Sequence, residues 1–131
     1  MTNIKFSRNE FEKYIKITPE IKEKITLFGT PLESLTKDEL EIEVLPNRPD
    51  LIPLEGFIRS FRKFIGKEPG LKKYKIKKPE KDYKVIVDKS VNEVRPYTAC
   101  AIVKNLKLTE ERVKDIINVQ EKLALTIGRN R

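Results

Sequence analysis

The sequence predicts an α+β protein: a small N-terminal α/β module of helices with a β-hairpin, a basic linker, and the incomplete start of a second, mixed α/β unit. Changes of period and of charge carry this reading. Apolar residues recur at helical spacing up to Gly29, then alternate strictly through Leu40, Ile42 and Val44, the shift from an amphipathic helix to a strand with one wet face. Between Lys67 and Lys84 eight lysines meet only three acids, which accounts for +5 of the formal net charge of +8 on 131 residues. That stretch is broken by Pro69-Gly70 and Pro79 and reads as the linker, 67–82, between a module at 1–66 and a unit at 83–131.

In the first unit, Ser7-Arg8-Asn9-Glu10 is a capping box: the Ser7 hydroxyl accepts from the Glu10 amide while Glu10 reaches back. With Phe6 stapled to Phe11, it predicts a helix over 8–16 burying Phe11, Tyr14 and Ile15. Thr18 caps a second helix with Pro19 at its first position. Ile21, Ile25 and Phe28 share one face of it, and Gly29 is a left-handed stop. The strand at 39–44 takes 32–35 as its hairpin partner across Thr36-Lys37-Asp38. Its row of Glu39, Glu41 and Glu43 reads as a solvated face rather than a metal or acid/base site.

Leu45-Pro46-Asn47-Arg48-Pro49-Asp50-Leu51 is the most constrained segment. Pro46 and Pro49 fix two φ angles and push residues 45 and 48 towards extended backbone. Asn47 and Asp50 are placed to close turns on the amides that follow. Arg48, between them, presents a planar fork of donors suited to a carboxylate, a phosphate or a set of carbonyls. For Asn47, Arg48, Pro49 and Asp50 a structural tie-down comes first, with ligand or RNA contact second. A helix over 53–65 follows, ended by Gly66. Gly56 inside it costs about 1 kcal/mol against alanine, which points to close backbone packing.

The linker lysines, among them Lys72, Lys73, Lys77 and Lys78, are candidates for RNA contact through phosphate neutralisation, with Tyr74 and Tyr83 as stacking faces. A solvated linker kept soluble by lysine is the plainer alternative. The second unit offers strand-like runs at 83–88 and 97–103, the latter with Cys100 as a small buried residue. A long helix is capped by Thr109 and carries an inward stripe of Val113, Ile116, Ile117, Gln120, Leu123, Ala124 and Ile127. Two strands and one helix cannot enclose a core.

Composition excludes several chemistries. The chain has no His and a single Cys, so Ser-His-Asp and Cys-His nucleophile systems and an internal disulfide are out. There is no Gly-rich phosphate loop and no dinucleotide fingerprint. The chain alone is not expected to be a self-sufficient enzyme, and no catalytic or metal residue is assigned. No apolar run approaches the roughly 18–20 residues of a membrane span. The N-terminal residues lack a secretory signal, so the expected location is cytoplasmic, without a membrane partner.

The stretch from Glu43 through Leu51 with Glu55-Gly56, the run from Arg95 to Asn105, and residues Ile117 to Leu123 and Gly128 to Arg131 resemble the beta subunit of phenylalanyl-tRNA synthetase, archaeal or eukaryotic type. The resemblance covers nearly the whole chain, with Asn47-Arg48-Pro49-Asp50-Leu51 its most specific element. It implies that residues 1–66 are the subunit's N-terminal module and that residues from about 83 begin its tRNA-editing domain. It implies ATP-dependent charging of tRNA(Phe) and editing of mischarged tRNA by the intact enzyme. Its implied partners are a catalytic alpha subunit, in a heterotetramer, and tRNA(Phe). ATP and magnesium would serve the intact enzyme, with no cofactor held by this segment. A free-standing basic RNA-binding module or an interaction scaffold derived from that subunit are the competing readings.

Overall fold

The computed structural model describes residues 2–78 and 83–129. Residues 79–82 of the expected linker and the terminal Asn130-Arg131 lie outside the described residues. One compact unit holds the described residues up to Gly70 together with those from Thr109; the described residues of 71–108 form the other.

In the first unit the chain runs β1 (Thr2–Ser7), α1 (Arg8–Glu12), α2 (Pro19–Leu27), β2 (Leu32–Leu35), β3 (Glu39–Val44) and α3 (Leu54–Phe64). The sheet has the order β1-β3-β2, antiparallel throughout. The β2–β3 hairpin falls where the alternation places it. Strand β1 adds to the expectation: Ile4 and Phe6 pair with Ile42 and Leu40 and are buried beside them. Its two inward residues are too short a pattern to separate from the helix cap that follows.

Helix α1 is shorter than the expected 8–16. The Ser7 hydroxyl accepts from the Glu10 amide at 3.4 Å as the capping box requires, but the Glu10 carboxylate pairs with Lys13 instead of reaching back. The helix gives way to a turn after Glu12, which keeps Ile15 buried but leaves Tyr14 exposed. Helix α2 starts and ends as its caps dictate. Thr18 Oγ1 accepts from the Ile21 amide at 3.2 Å, and Gly29 takes φ +85°.

Helix α3 and the inner sheet face enclose an aromatic core centred on Phe57. Its ring lies 5.6 Å from Phe6, 6.0 Å from Phe11, 5.7 Å from Phe28 and 5.5 Å from Phe61, all within the range of favourable ring pairs. The outer sheet face is polar and internally paired. Glu41 accepts from Asn3 at 3.2 Å and from Ser34 at 3.1 Å, and Lys5 lies 3.4 Å from Glu39.

Helix α4 (Glu110–Leu125) is capped by Thr109, whose hydroxyl accepts from the Arg112 amide at 3.3 Å. It meets the core of its unit through Val119 and Leu123, one turn apart. The expected inward stripe holds only at Leu123: Val113, Ile116, Ile117, Gln120, Ala124 and Ile127 remain exposed.

The second unit departs further from expectation. Every described residue of 71–108 is exposed, and no strand forms at 83–88 or 97–103; one 3₁₀ turn, Lys89–Val91, is its regular structure. Cys100 is exposed, not buried. A strand needs neighbours for its backbone groups and a covering layer for its side chains, and among the described residues neither is supplied.

Gly56 packs its α-carbon against the Asp50 carbonyl, and a Cβ there would collide with that oxygen. Gly56→Ala is expected to destabilise the chain by about 1–3 kcal/mol despite alanine's helix preference. Phe57→Ala should cost about 3–5 kcal/mol. Urea unfolding followed by far-UV circular dichroism measures both, and an unchanged midpoint for Gly56→Ala would show that the two backbones separate freely.

Candidate nucleic-acid interface

The residues singled out by the sequence fall in two segments, the turn at 45–51 and the lysine run at 71–78. Arg48, before Pro49, lies outside the helical region but falls short of the expected extended backbone, at φ −121° and ψ 58°. The Arg48 amide donates to the Leu45 carbonyl at 3.0 Å, and the Leu51 amide donates to the Arg48 carbonyl at 3.1 Å. A 3₁₀ turn, Pro49–Leu51, then drives Leu51 and Ile52 into the core. The Arg48 guanidinium donates from Nε and Nη2 to the two Asp50 carboxylate oxygens, at 2.9 Å each. Its carbon lies 5.7 Å from the centre of the Phe28 ring, a distance at which the cation is attracted by the ring face.

Two local expectations are corrected. The Asp50 carboxylate holds Arg48 rather than closing a turn on the following amides. The Asn47 side chain is exposed and makes no hydrogen bond among the described residues, because the backbone bond from Arg48 to Leu45 already closes that turn. Of the four motif residues, the structure brings Arg48 and Asp50 together and leaves Asn47 at the turn's tip. One edge of the Arg48 fork is taken by Asp50.

The electrostatics follow this pairing. The Arg48 fork holds the Asp50 carboxyl below its ordinary value, against a smaller opposing push from burial. A carboxylate with the opposite tendency is Asp115 on α4. Burial raises it, and Glu111, Glu55 and Glu10 reinforce the rise. The sequence gives no sign of this site, because Glu10, Glu55 and Asp115 are brought near one another only by tertiary packing. Phe28 was likewise legible as a core residue but not as the ring beneath Arg48.

In the lysine run, Lys72, Lys73, Lys75, Lys77 and Lys78 are all exposed on a segment without regular structure. Lys72 Nζ lies 5.5 Å from the centre of the Tyr74 ring, and Lys104 Nζ lies 4.7 Å from that of Tyr83. Each tyrosine thus already carries a cation over one face. Glu68, counted among the three acids of the linker, instead ion-pairs with Arg62 at 2.7 Å. It belongs to the end of α3, where Gly66 at φ +77° and the Lys67 amide bonded to the Arg62 carbonyl close the helix.

No family model matches the chain. Curated relatives do. The chain is 40% identical over 111 residues to the phenylalanine–tRNA ligase beta subunit of Archaeoglobus fulgidus, covering 85% of this chain and 20% of that protein. It is 36% identical to the beta subunit of Methanocaldococcus jannaschii and 38% identical to that of Sulfolobus acidocaldarius. Each of those matches covers 100% of this chain, and respectively 24% and 22% of the relative. A crystal structure of an N-terminal fragment of the phenylalanyl-tRNA synthetase beta subunit from Pyrococcus horikoshii superimposes with a TM-score of 0.84 at 31% identity. It covers 99% of this chain and 39% of that one. The fold and these relatives define a class: N-terminal portions of an aminoacyl-tRNA synthetase subunit. The chain is homologous to the N-terminal part of the archaeal phenylalanine–tRNA ligase beta subunit. It spans about a fifth to a quarter of the length of the curated relatives it matches.

Asp50 and Asp115 have opposite pH signatures. Asp50 is lowered in the fold, so its pairing stabilises above the ordinary carboxylate value and is lost as pH falls through the depressed one. Asp50→Asn should cost about 0.5–1 kcal/mol near neutrality, the range for a screened pair, and remove that acid-side loss. Asp115 is raised, so its ionisation opposes folding as pH rises through the raised value. Asp115→Asn should increase stability at neutral pH and leave it unchanged in strong acid. Thermal melts at a series of pH values check both, and a parallel response of the two variants would overturn this assignment.

Proposed function

We propose that this chain acts as the N-terminal part of a phenylalanine–tRNA ligase beta subunit. In the intact enzyme it supports ATP-dependent attachment of phenylalanine to tRNA(Phe) and the editing of mischarged tRNA. The observation that carries this reading is the superposition on the Pyrococcus horikoshii fragment over 99% of the chain, with curated relatives matched over its full length. Residues 1–66 serve as the subunit's first module, 67–82 as a basic linker, and 83–131 as the opening of the editing-type domain. The strand-competent runs at 83–88 and 97–103 pair once the remainder of that domain supplies neighbouring strands. The partners are the catalytic alpha subunit, in a heterotetramer, and tRNA(Phe), in the cytoplasm.

Within this reading Asn47, Arg48, Pro49 and Asp50 are structural. Pro49 and the Arg48–Asp50 pair set the direction in which the chain leaves the sheet and enters α3, Asn47 occupies the tip of the turn, and none of the four takes part in chemistry. ATP and magnesium serve other parts of the intact enzyme. Among the described residues, no three carboxylate, His or Cys side chains are placed together to hold a magnesium ion.

The chain alone is expected neither to charge tRNA(Phe) with phenylalanine nor to release tyrosine from mischarged tRNA(Phe). Steady-state assays on the purified chain, with and without alpha subunit, check this, and turnover by the chain alone would overturn the proposal.

A further inference from the structure

We infer that residues 71–78 form an RNA-backbone contact arm, in which Lys72, Lys73, Lys75, Lys77 and Lys78 neutralise phosphates and Tyr74 offers a face to an unpaired base. This deepens the reading above and rests on it for the choice of RNA as partner.

Charge density carries the argument. Five of these eight residues are lysine and none is acidic. Among the described residues, no carboxylate lies within ion-pairing distance of any of the five. Eight residues reach at most about 28 Å when fully extended, so neighbouring charges stay within the Debye length of about 8 Å at physiological salt. They repel one another, and a polyanion with closely repeating charge relieves that repulsion by releasing its own counterions.

The form of the segment favours nucleic acid over the other polyanions. It is not a helix, so it offers no amphipathic face of the kind that lies in a membrane surface. Leu71 and Ile76 are exposed singly, which needs no explanation by a docking groove. An irregular chain of lysines follows a phosphate backbone without reading its sequence. Tyr74 is 68% exposed; with Lys72 over one face, the other remains a platform for stacking, worth about fivefold to a hundredfold in affinity per base.

The test is a titration of the full chain with fluorescein-labelled tRNA(Phe) and with a random single-stranded RNA of equal length, from 50 to 200 mM NaCl. Five phosphate contacts at about 0.7 each contribute a slope near −3.5 in log affinity against log salt. That corresponds to roughly a hundredfold loss across this range. Changing all five lysines to serine should make the slope shallower by about 3–4, while changing all five to arginine should preserve it. Tyr74→Ala should weaken the single-stranded RNA by about fivefold or more. Unchanged thermal melts would show that the variants fold. An unchanged slope in the serine variant overturns the inference. So does retention by polyglutamate or by phosphatidylserine vesicles in preference to RNA, which would name an acidic protein or a membrane as the partner. Co-purification of intact subunit with the catalytic alpha subunit reports separately on the family reading, since its loss would overturn that reading whatever the lysines do.

Discussion

The first unit depends on the Phe57 ring. Phe6 arrives from β1, Phe11 from α1, Phe28 from the end of α2 and Phe61 from the next turn of α3. Elements distant in sequence therefore bury their apolar surface against a single side chain. Aromatic rings suit such a junction because each buries a large area in an orientation-dependent way. The sheet contributes the other wall, where Ile4, Leu40, Ile42 and Val44 are buried on one face.

The turn between β3 and α3 lets that junction form. Its two prolines restrict the backbone, Leu51 and Ile52 anchor it inside, and Gly56 allows the Asp50 carbonyl to touch the next helix. The Arg48–Asp50 fork, stacked over Phe28, lies on the rim of the same aromatic cluster. The pair is partly solvated, so its energetic weight is small. Its geometry is local: the two side chains close on each other within the turn. A residue motif that looks ready for a ligand is here turned on itself.

The other unit shows the converse condition. Residues 83–88 and 97–103 carry the β-branched and aromatic composition of strands, yet their described side chains are exposed and no ladder forms. Local propensity supplies too little free energy to hold an unpaired strand in water. On α4, Val119 and Leu123 find cover while Val113, Ile116 and Ile117 do not. The chain covers 20–24% of the length of the curated relatives it matches.

What the sequence determined by itself was local. Ser7, Thr18 and Thr109 cap their helices because a hydroxyl and an amide three residues on need nothing else to meet. The alternation of Leu40, Ile42 and Val44 sets one face of a strand inward, and the Asn47-to-Leu51 motif carried the family resemblance. The lysine run was visible as charge alone. Tertiary structure decided whatever required a partner far along the chain: the third strand β1, the shortening of α1, the face that α4 buries, and the placing of Phe28 beneath Arg48. It likewise decided the shared field of Glu10, Glu55 and Asp115, and the failure of 83–88 and 97–103 to pair. Periodicity records which side of an element is apolar, but not which neighbour will cover it, because burial is a property of two surfaces and the sequence of one element describes only its own.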